Sequence, residues 1–342
     1  MKLNVKQVAL IFGIAFSMTK PSFPSGATVG LSPIRLTTAT FLVICGLLSS
    51  ANATDPYVVV LGIAQDGGYP HAGCQKECCA SLFETRKTGA MVSCLAIVDP
   101  VTHQRWILDC TPNFPQQLAL LDKLEPQVQG GPLVDGIFLT HAHIGHYSGL
   151  IHLGREVIGA KAVPVHAMPR MKEFLTTNGP WDQLVHLRNI ALQELQEGQA
   201  INLNDRIQLT PITVPHRDEY SETVGFRVAG PQRSILFIPD IDKWEKWNRS
   251  IEVLVKKVER SYLDGTFFSG AELPNRSLAE IPHPLIKESL QKFIKMPDKM
   301  RQSIHFIHLN HTNPALRRGT YERKLIRRAG MHVAREMESF KL

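Results

Sequence analysis

The run Gly136-Ile137-Phe138-Leu139-Thr140 leads straight into His141-Ala142-His143-Ile144-Gly145-His146. A buried strand that ends in three imidazoles within six residues has little packing logic. On a tight turn, however, those imidazoles converge on a metal without long side-chain reach. Neutral imidazole is a common zinc ligand, and catalytic zinc sites commonly combine three protein ligands with one open position. The helical pattern SGLIHLGREVIG follows at once, so the motif demands a strand–turn–helix unit.

Other metal-binding side chains close later apolar runs: His216 ends IQLTPITVPH, Asp240 ends SILFIPD and His311 ends SIHFIHLNH. A single strand-end His or Asp is usually just solvated. The ordered set is informative, because each run delivers its residue to the same edge of a sheet. YVVVLGIA, SCLAIVD, RWILDC, TVGFRVAG and MHVAREMESF also have strand length and β-branched content. Between the strands, FPQQLALLDKLE, KWEKWNRSIEVLVKKVE, PLIKESLQKFIK and PALRRGTYERKLIRR carry apolar positions at helical spacing. Early strands come as hairpins and later ones alternate with helices. The expected fold class is therefore α/β, two sheets with helices outside, in one domain over 54–342.

The formal charge of +7 belongs largely to the N-terminus. Residues 1–53 hold four basic groups and no acid, and the rest has 34 basic against 31 acidic residues. That balance argues against nucleic acid and membrane surfaces as partners. Arg35, the apolar run LTTATFLVICGLLSS and Ala51-Asn52-Ala53 have the order of a signal peptide. The run is shorter than the ~20 residues a spanning helix needs. Residues 1–53 are thus expected to be a targeting region, and the mature chain to be periplasmic or secreted with no stable membrane span. A second apolar run, VALIFGIAFSM, follows Lys2 and Lys6, which leaves open Met18 as a start or an additional anchor.

THAHIGH, VPHRDEY, FIPDIDKW and LNHTNP together resemble the successive metal motifs of the metallo-β-lactamase superfamily. VVLGIAQDGGYPHAGC, FIPDIDKW and YLDGTFF followed by IPHP look closest to its pyrroloquinoline-quinone biosynthesis protein B-like branch. The resemblance covers roughly residues 57–340. It implies an αβ/βα sandwich, two mixed sheets flanked by helices, with metals at one edge. His141, His143 and His216 would hold a first metal, His146 and His311 a second, and Asp240 would bridge them. Asp109 would support the metal loop from behind, as outer-shell carboxylates orient ligating imidazoles. The chain departs from the family pattern at Gly145, where an aspartate usually precedes the last histidine. An aspartate placed there is expected to strengthen the second site. Asp66, in AQDGG, either enters the site from another direction or only makes a turn hydrogen bond before Gly67-Gly68.

The mature chain keeps five cysteines, and an odd count implies a free thiol or metal ligation. His71, Cys74, Cys78 and Cys79 crowd into HAGCQKECC. They form either a structural zinc site, which the family resemblance supports, or disulfides. Cys94 and Cys110 fall opposite each other in an equal-arm hairpin turning near Thr102. Opposed Cβ atoms lie ~4.5–5.5 Å apart and a disulfide needs ~3.5–4.5 Å, so the alternatives are a strained cross-strand bond and two small buried apolar groups.

His283, in EIPHP, either reaches the substrate side of the metals, since the resemblance places this stretch near the pocket mouth, or is a plain helix-start histidine. Trp181, in NGPW, is either a lid or a core residue. Arg317, Arg318, Arg323, Lys324, Arg327 and Arg328 recur at helical spacing and read as a solvated basic face. His308, with several other histidines, reads as structural. The expected function is hydrolysis of a small-molecule ester, lactone, phosphodiester or β-lactam by zinc-activated water. One or two zinc ions would sit in the active site and an additional zinc at the cysteines, with Asp240, His283 and Asp66 as catalytic candidates. The alternatives are an oxygen-dependent iron enzyme related to quinone biosynthesis and a non-catalytic metal- or ligand-binding protein. Export is expected to remove residues 1–53 and leave Thr54 first. Intact-mass measurement on exported protein checks this, and a chain still beginning at Met1 or Met18 contradicts it.

Overall fold

Two seven-stranded sheets face each other in the computed structural model, which describes residues 55–86, 89–274 and 276–342. The expected targeting region lies outside these residues. The first half of the chain supplies β1 (Tyr57–Gly62), β2 (Cys94–Asp99), β3 (Gln104–Leu108), β4 (Gly136–Phe138), β5 (Val163–Ala167) and β6 (Ile190–Glu194). The second half supplies β7 (Ile201–Asn202), β8 (Gln208–Thr213), β9 (Val224–Ala229), β10 (Ser234–Ile238), β11 (Arg260–Asp264), β12 (Ile304–Ile307), β13 (His332–Val333) and β14 (Ser339–Lys341). One sheet has the order β14-β1-β2-β3-β4-β5-β6 and the other β13-β12-β11-β10-β9-β8-β7.

Both faces of the first sheet are covered at its β1 and β2 strands, which is why YVVVLG and CLAIVD are almost continuously apolar rather than alternating. Val58, Val60, Leu95, Ile97 and Leu108 share one core with Phe226, Phe237 and Phe306 of the second sheet. Their neighbours Val59, Leu61, Ala96, Val98 and Ile107 join a second core with Phe114, Leu118 and Leu121 of the helix Phe114–Leu124. Among the described residues no helix is long and apolar enough to cross a membrane.

Strand direction positions the site. β8 and β10 each run antiparallel to β9 and so point the same way, while β10, β11 and β12 are mutually parallel. The carboxyl ends of all four therefore meet at one edge of the sheet, where open α/β sheets place their ligands.

Some elements differ from the sequence reading. MHVAREMESF divides into β13 and β14, which belong to different sheets. SGLIHLGREVIG is not one helix: Ile144–Tyr147 is followed by a 3-10 turn, Ser148–Leu153, in which Gly149 lies so close to Phe114 that an added Cβ would be 2.8 Å from the Phe114 Cβ. The β2–β3 register pairs Leu95 with Leu108, one step from the equal-arm register, so Cys94 and Cys110 are not opposed. Both are free and buried, and Cys94 Sγ lies 3.5 Å from the Asp109 carbonyl. Trp181 is buried edge-on against Tyr147, with ring centroids 4.9 Å apart, as a core residue rather than a lid.

Arg105 on β3 ties this half together from within. Its buried guanidinium pairs with Asp122 at 2.5 Å and donates to the carbonyls of Glu125 and Leu133, both at 2.7 Å. Arg105→Ala orphans those carbonyls, each costing about 1–3 kcal/mol. Urea unfolding should show a loss on the order of 3 kcal/mol. An unchanged midpoint would mean that solvent replaces these bonds.

Candidate metal centre

The turn after β4 places three imidazoles side by side. Asp109, at the end of β3 with φ 68°, accepts from the Thr140 backbone N–H at 2.8 Å and contacts His146 Nδ1 at 2.7 Å. Thr140 Oγ1 lies 3.0 Å from His141 Nδ1. The Nε2 atoms of His141 and His146 are thereby left facing inward. His143 is oriented by Glu219, whose Oε2 is 3.0 Å from its Nε2, so its Nδ1 faces the other ligands.

Asp240 Oδ2 is the common point. It lies 3.4 Å from His141 Nε2 and from His216 Nε2, and 3.9 Å from His143 Nδ1. It is also 3.9 Å from His146 Nε2 and from His308 Nε2. Asp66 Oδ1 approaches the same two nitrogens, 3.1 Å from His146 and 3.6 Å from His308. Two donor sets result, His141–His143–His216–Asp240 and Asp66–His146–His308, each with its ligand atoms within 4.8 Å of one another.

These donor sets fit metal ions. Asp66 Oδ1 and the Nε2 atoms of His141, His146 and His308 are buried, close together and without hydrogen-bond partners. Such orphans cost about 1–3 kcal/mol each unless something binds them. Burial drives the His141 imidazole well below its ordinary pKa, with the charge of His146 adding to the effect. Burial likewise takes His216 down to about 4, so both are neutral, as ligation requires.

The structure places two of the expected metal-binding residues differently. His311 does not join His146. His308 does, because it directly follows β12 with φ 62°, which turns its ring into the site, and Thr266 Oγ1 holds its Nδ1 at 2.9 Å. His311 instead lies with Cys74, Cys78 and Cys79, all four ligand atoms within 4.8 Å of one another. His71, the expected fourth member, stacks outside on His311 with centroids 4.3 Å apart. The Cys74–Cys78 and Cys78–Cys79 sulfurs are each 3.9 Å apart. Tetrahedral zinc with Zn–S of ~2.3 Å requires sulfurs ~3.8 Å apart.

Asp66 explains Gly145. A Cβ built on Gly145 would overlap Asp66, whose own Cβ would be 2.9 Å away. The loop after β1 occupies the space that a side chain at position 145 would need, and its carboxylate reaches His146 from that side. That overlap argues against the expectation that an aspartate at 145 would strengthen the site.

His283 sits behind Asp240, with Nδ1 3.1 Å from Asp240 Oδ1 and 2.9 Å from Asp264 Oδ2. Burial disfavours its charge, but Asp264 and Asp240 outweigh burial and push it up to about 10. Asp264 went unassigned in the sequence reading, although it closes β11 much as Asp240 follows β10. Glu219 carried no sequence signal, because it lies in an irregular loop.

The β-lactamase superfamily domain matches residues 104–308. Coenzyme PQQ synthesis protein B of Nitrosococcus oceani is 26% identical over 307 residues, covering 80% of this chain and 96% of that protein. Its counterpart in Xanthomonas oryzae pv. oryzae is 24% identical, covering 82% and 97% respectively. Zn(2+)-bound PqqB from Methylobacterium extorquens superposes with a TM-score of 0.68 at 20% identity, over 84% of this chain and all (100%) of that one. A diphosphatase from the PhnP family superposes with a TM-score of 0.57 at 18% identity, over 84% and 97%. With its paired sheets and its histidines at their edge, the chain belongs to the metallo-β-lactamase superfamily, and within it resembles the coenzyme PQQ synthesis protein B branch.

Proposed function

We propose that the chain is a two-metal hydrolase acting on a small molecule. The observation that carries this reading is the position of Asp240 Oδ2, 3.4–3.9 Å from imidazole nitrogens of both donor sets. His141, His143, His216 and Asp240 would hold one ion, and Asp66, His146, His308 and Asp240 the other. When bound, such ions lower the pKa of water from 15.7 to ~7 and polarise the oxygen of the scissile group. The protein's own part is positional. Asp109 and Thr140 orient His141 and His146, Glu219 orients His143, and Thr266 orients His308. His283, held between Asp240 and Asp264, is the proton-carrying group beside the centre. Asp66 replaces the carboxylate that position 145 lacks, which supports a complete second site over a lost one. The Cys74–Cys78–Cys79–His311 set is suited to a structural zinc.

A second reading rests on a different observation: the likeness to coenzyme PQQ synthesis protein B spans nearly the full length of those proteins. Its donors are nitrogen and oxygen only, which suits iron as well as zinc. The chain would then use iron and oxygen to oxidise a tyrosine-derived precursor. For either chemistry, the order of Arg35, apolar run and Ala51-Asn52-Ala53 supports action in the periplasm or outside the cell.

Elemental analysis combined with turnover separates the readings. The hydrolase reading expects three ions per chain, one of them the cysteine-bound zinc. It also expects cleavage of a phosphodiester, ester, lactone or β-lactam probe that chelation abolishes. Oxygen consumption by an iron-loaded protein that cleaves none of these probes would favour the second reading.

Two variants test the second site. Asp66→Asn should lose one ion from the histidine centre and reduce activity by more than the roughly 10–100-fold typical of outer-shell losses. Gly145→Asp should lower both the melting temperature and the metal content, because it displaces Asp66. Gain of metal in Gly145→Asp, or full occupancy in Asp66→Asn, would show that Asp66 is not a ligand.

A further inference from the structure

Away from the metal centre, the edge of the second sheet carries a cavity of about 510 Å³. We propose that it is a binding site for a small multivalent oxyanion, a molecule bearing two or more phosphate or carboxylate groups. None of its lining residues belongs to the metal-binding sets.

The cavity is assembled from the end of the chain. After the 3-10 turn Pro314–Leu316, Gly319 adopts φ 83° and Thr320 caps the helix Tyr321–Arg328. That helix turns Arg323, Lys324 and Arg327 toward the cavity, Arg318 precedes it, and Arg335 arrives just after β13. Of the basic residues expected to form a solvated face, Arg318, Arg323, Lys324 and Arg327 line this concavity, and Arg318, Lys324 and Arg327 are exposed. Met331 and Val333 contribute apolar wall, and beside them His332 stacks on His305 with centroids 4.8 Å apart.

Charge is the decisive feature. Five cationic side chains line the cavity with a single carboxylate, Glu338. Glu338 is already engaged, 3.3 Å from Arg335 Nε and 3.2 Å from His305 Nδ1. The half-buried Arg323 spends its Nη1 on two neutral acceptors, the carbonyls of Ala315 at 3.2 Å and Leu316 at 3.4 Å. Among the described residues, the side chains of Arg318, Lys324 and Arg327 form no hydrogen bond or ion pair. Burial lowers the proton affinity of Arg323, and the nearby charges of Arg318 and Arg335 lower it further. Like charges gathered around one concavity concentrate field on whatever anion enters.

Four of the five cations are arginines, whose planar forks match carboxylate and phosphate oxygens in pairs. The volume lies within the ~300–1,000 Å³ of small-molecule sites. The cations converge on one cavity rather than spreading along a face, which suits a ligand that enters it over a nucleic-acid backbone that tracks a stripe.

Calorimetric titration of the full, metal-loaded chain tests the site at low ionic strength. Pyrophosphate and tricarballylate serve as the phosphate and carboxylate probes. At least one should bind saturably with one site per chain, and the tighter of the two identifies the natural source of the anionic groups. The double variant Arg318→Gln/Arg327→Gln removes exposed side chains that hold nothing else, so it should keep the wild-type melting temperature and metal content. Its affinity for the preferred anion should fall roughly tenfold or more. Absence of saturable binding to either probe would overturn the proposal. So would unchanged affinity in the double variant, which would place the bound anion at the metal centre instead.

Discussion

A single buried carboxylate organises this protein. Asp240 is almost fully enclosed, and five imidazoles point at its Oδ2. An isolated buried carboxylate would neutralise rather than stay charged. Here burial is outweighed by the histidines around it, His216, His283 and His308 among them, and Asp240 stays well below the usual carboxylate range. The five imidazoles come from three separate segments, and His141, His143, His146 and His308 are each held from behind by a group that leaves one nitrogen facing inward. The parallel run of β10, β11 and β12 makes the arrangement possible, since it lines up the ends from which Asp240, Asp264 and His308 emerge.

The readable part of the sequence is the part that depends on local pattern. Strand length, β-branched content and the His141–His143 spacing reveal the β4 turn, and the closures at His216 and Asp240 follow from the same logic. HLNH is ambiguous because two histidines three residues apart both lie beyond the end of β12. What chooses between them is the positive φ of His308, a backbone state with no signature in side-chain chemistry. The equal-arm register of Cys94 and Cys110 failed by one residue, and a one-residue slip changes every opposed pair, which leaves the alternative of two small buried apolar groups.

Asp66 and Gly145 illustrate a harder case. They are 79 positions apart in the chain, and neither is informative alone. Gly145 reads as a missing ligand, and Asp66 either as an entrant to the site or as a turn residue before two glycines. Only their contact makes sense of both, because the space vacated at one position admits the carboxylate from the other.

A ligand supplied from a loop, as Asp66 would be, raises a mechanical problem, since a loop carboxylate must be held as firmly as one on a helix. The answer lies in the backbone between Asp66 and His308. Leu309 N–H donates to the Ile63 carbonyl at 2.8 Å, and Gln65 N–H donates to the Leu309 carbonyl at 2.9 Å. These two bonds stitch the Asp66 loop to the segment that begins at His308. Farther out, the same two segments meet again, one bringing Cys74 and the other His311 to the cysteine cluster. An ion bound there would close a loop from Asp66 through Cys74 and His311 back to His308, restricting both ligands from their far ends. The two histidines of HLNH thus serve different sites, and the short span between them couples the anchoring of the loops to the geometry of the centre.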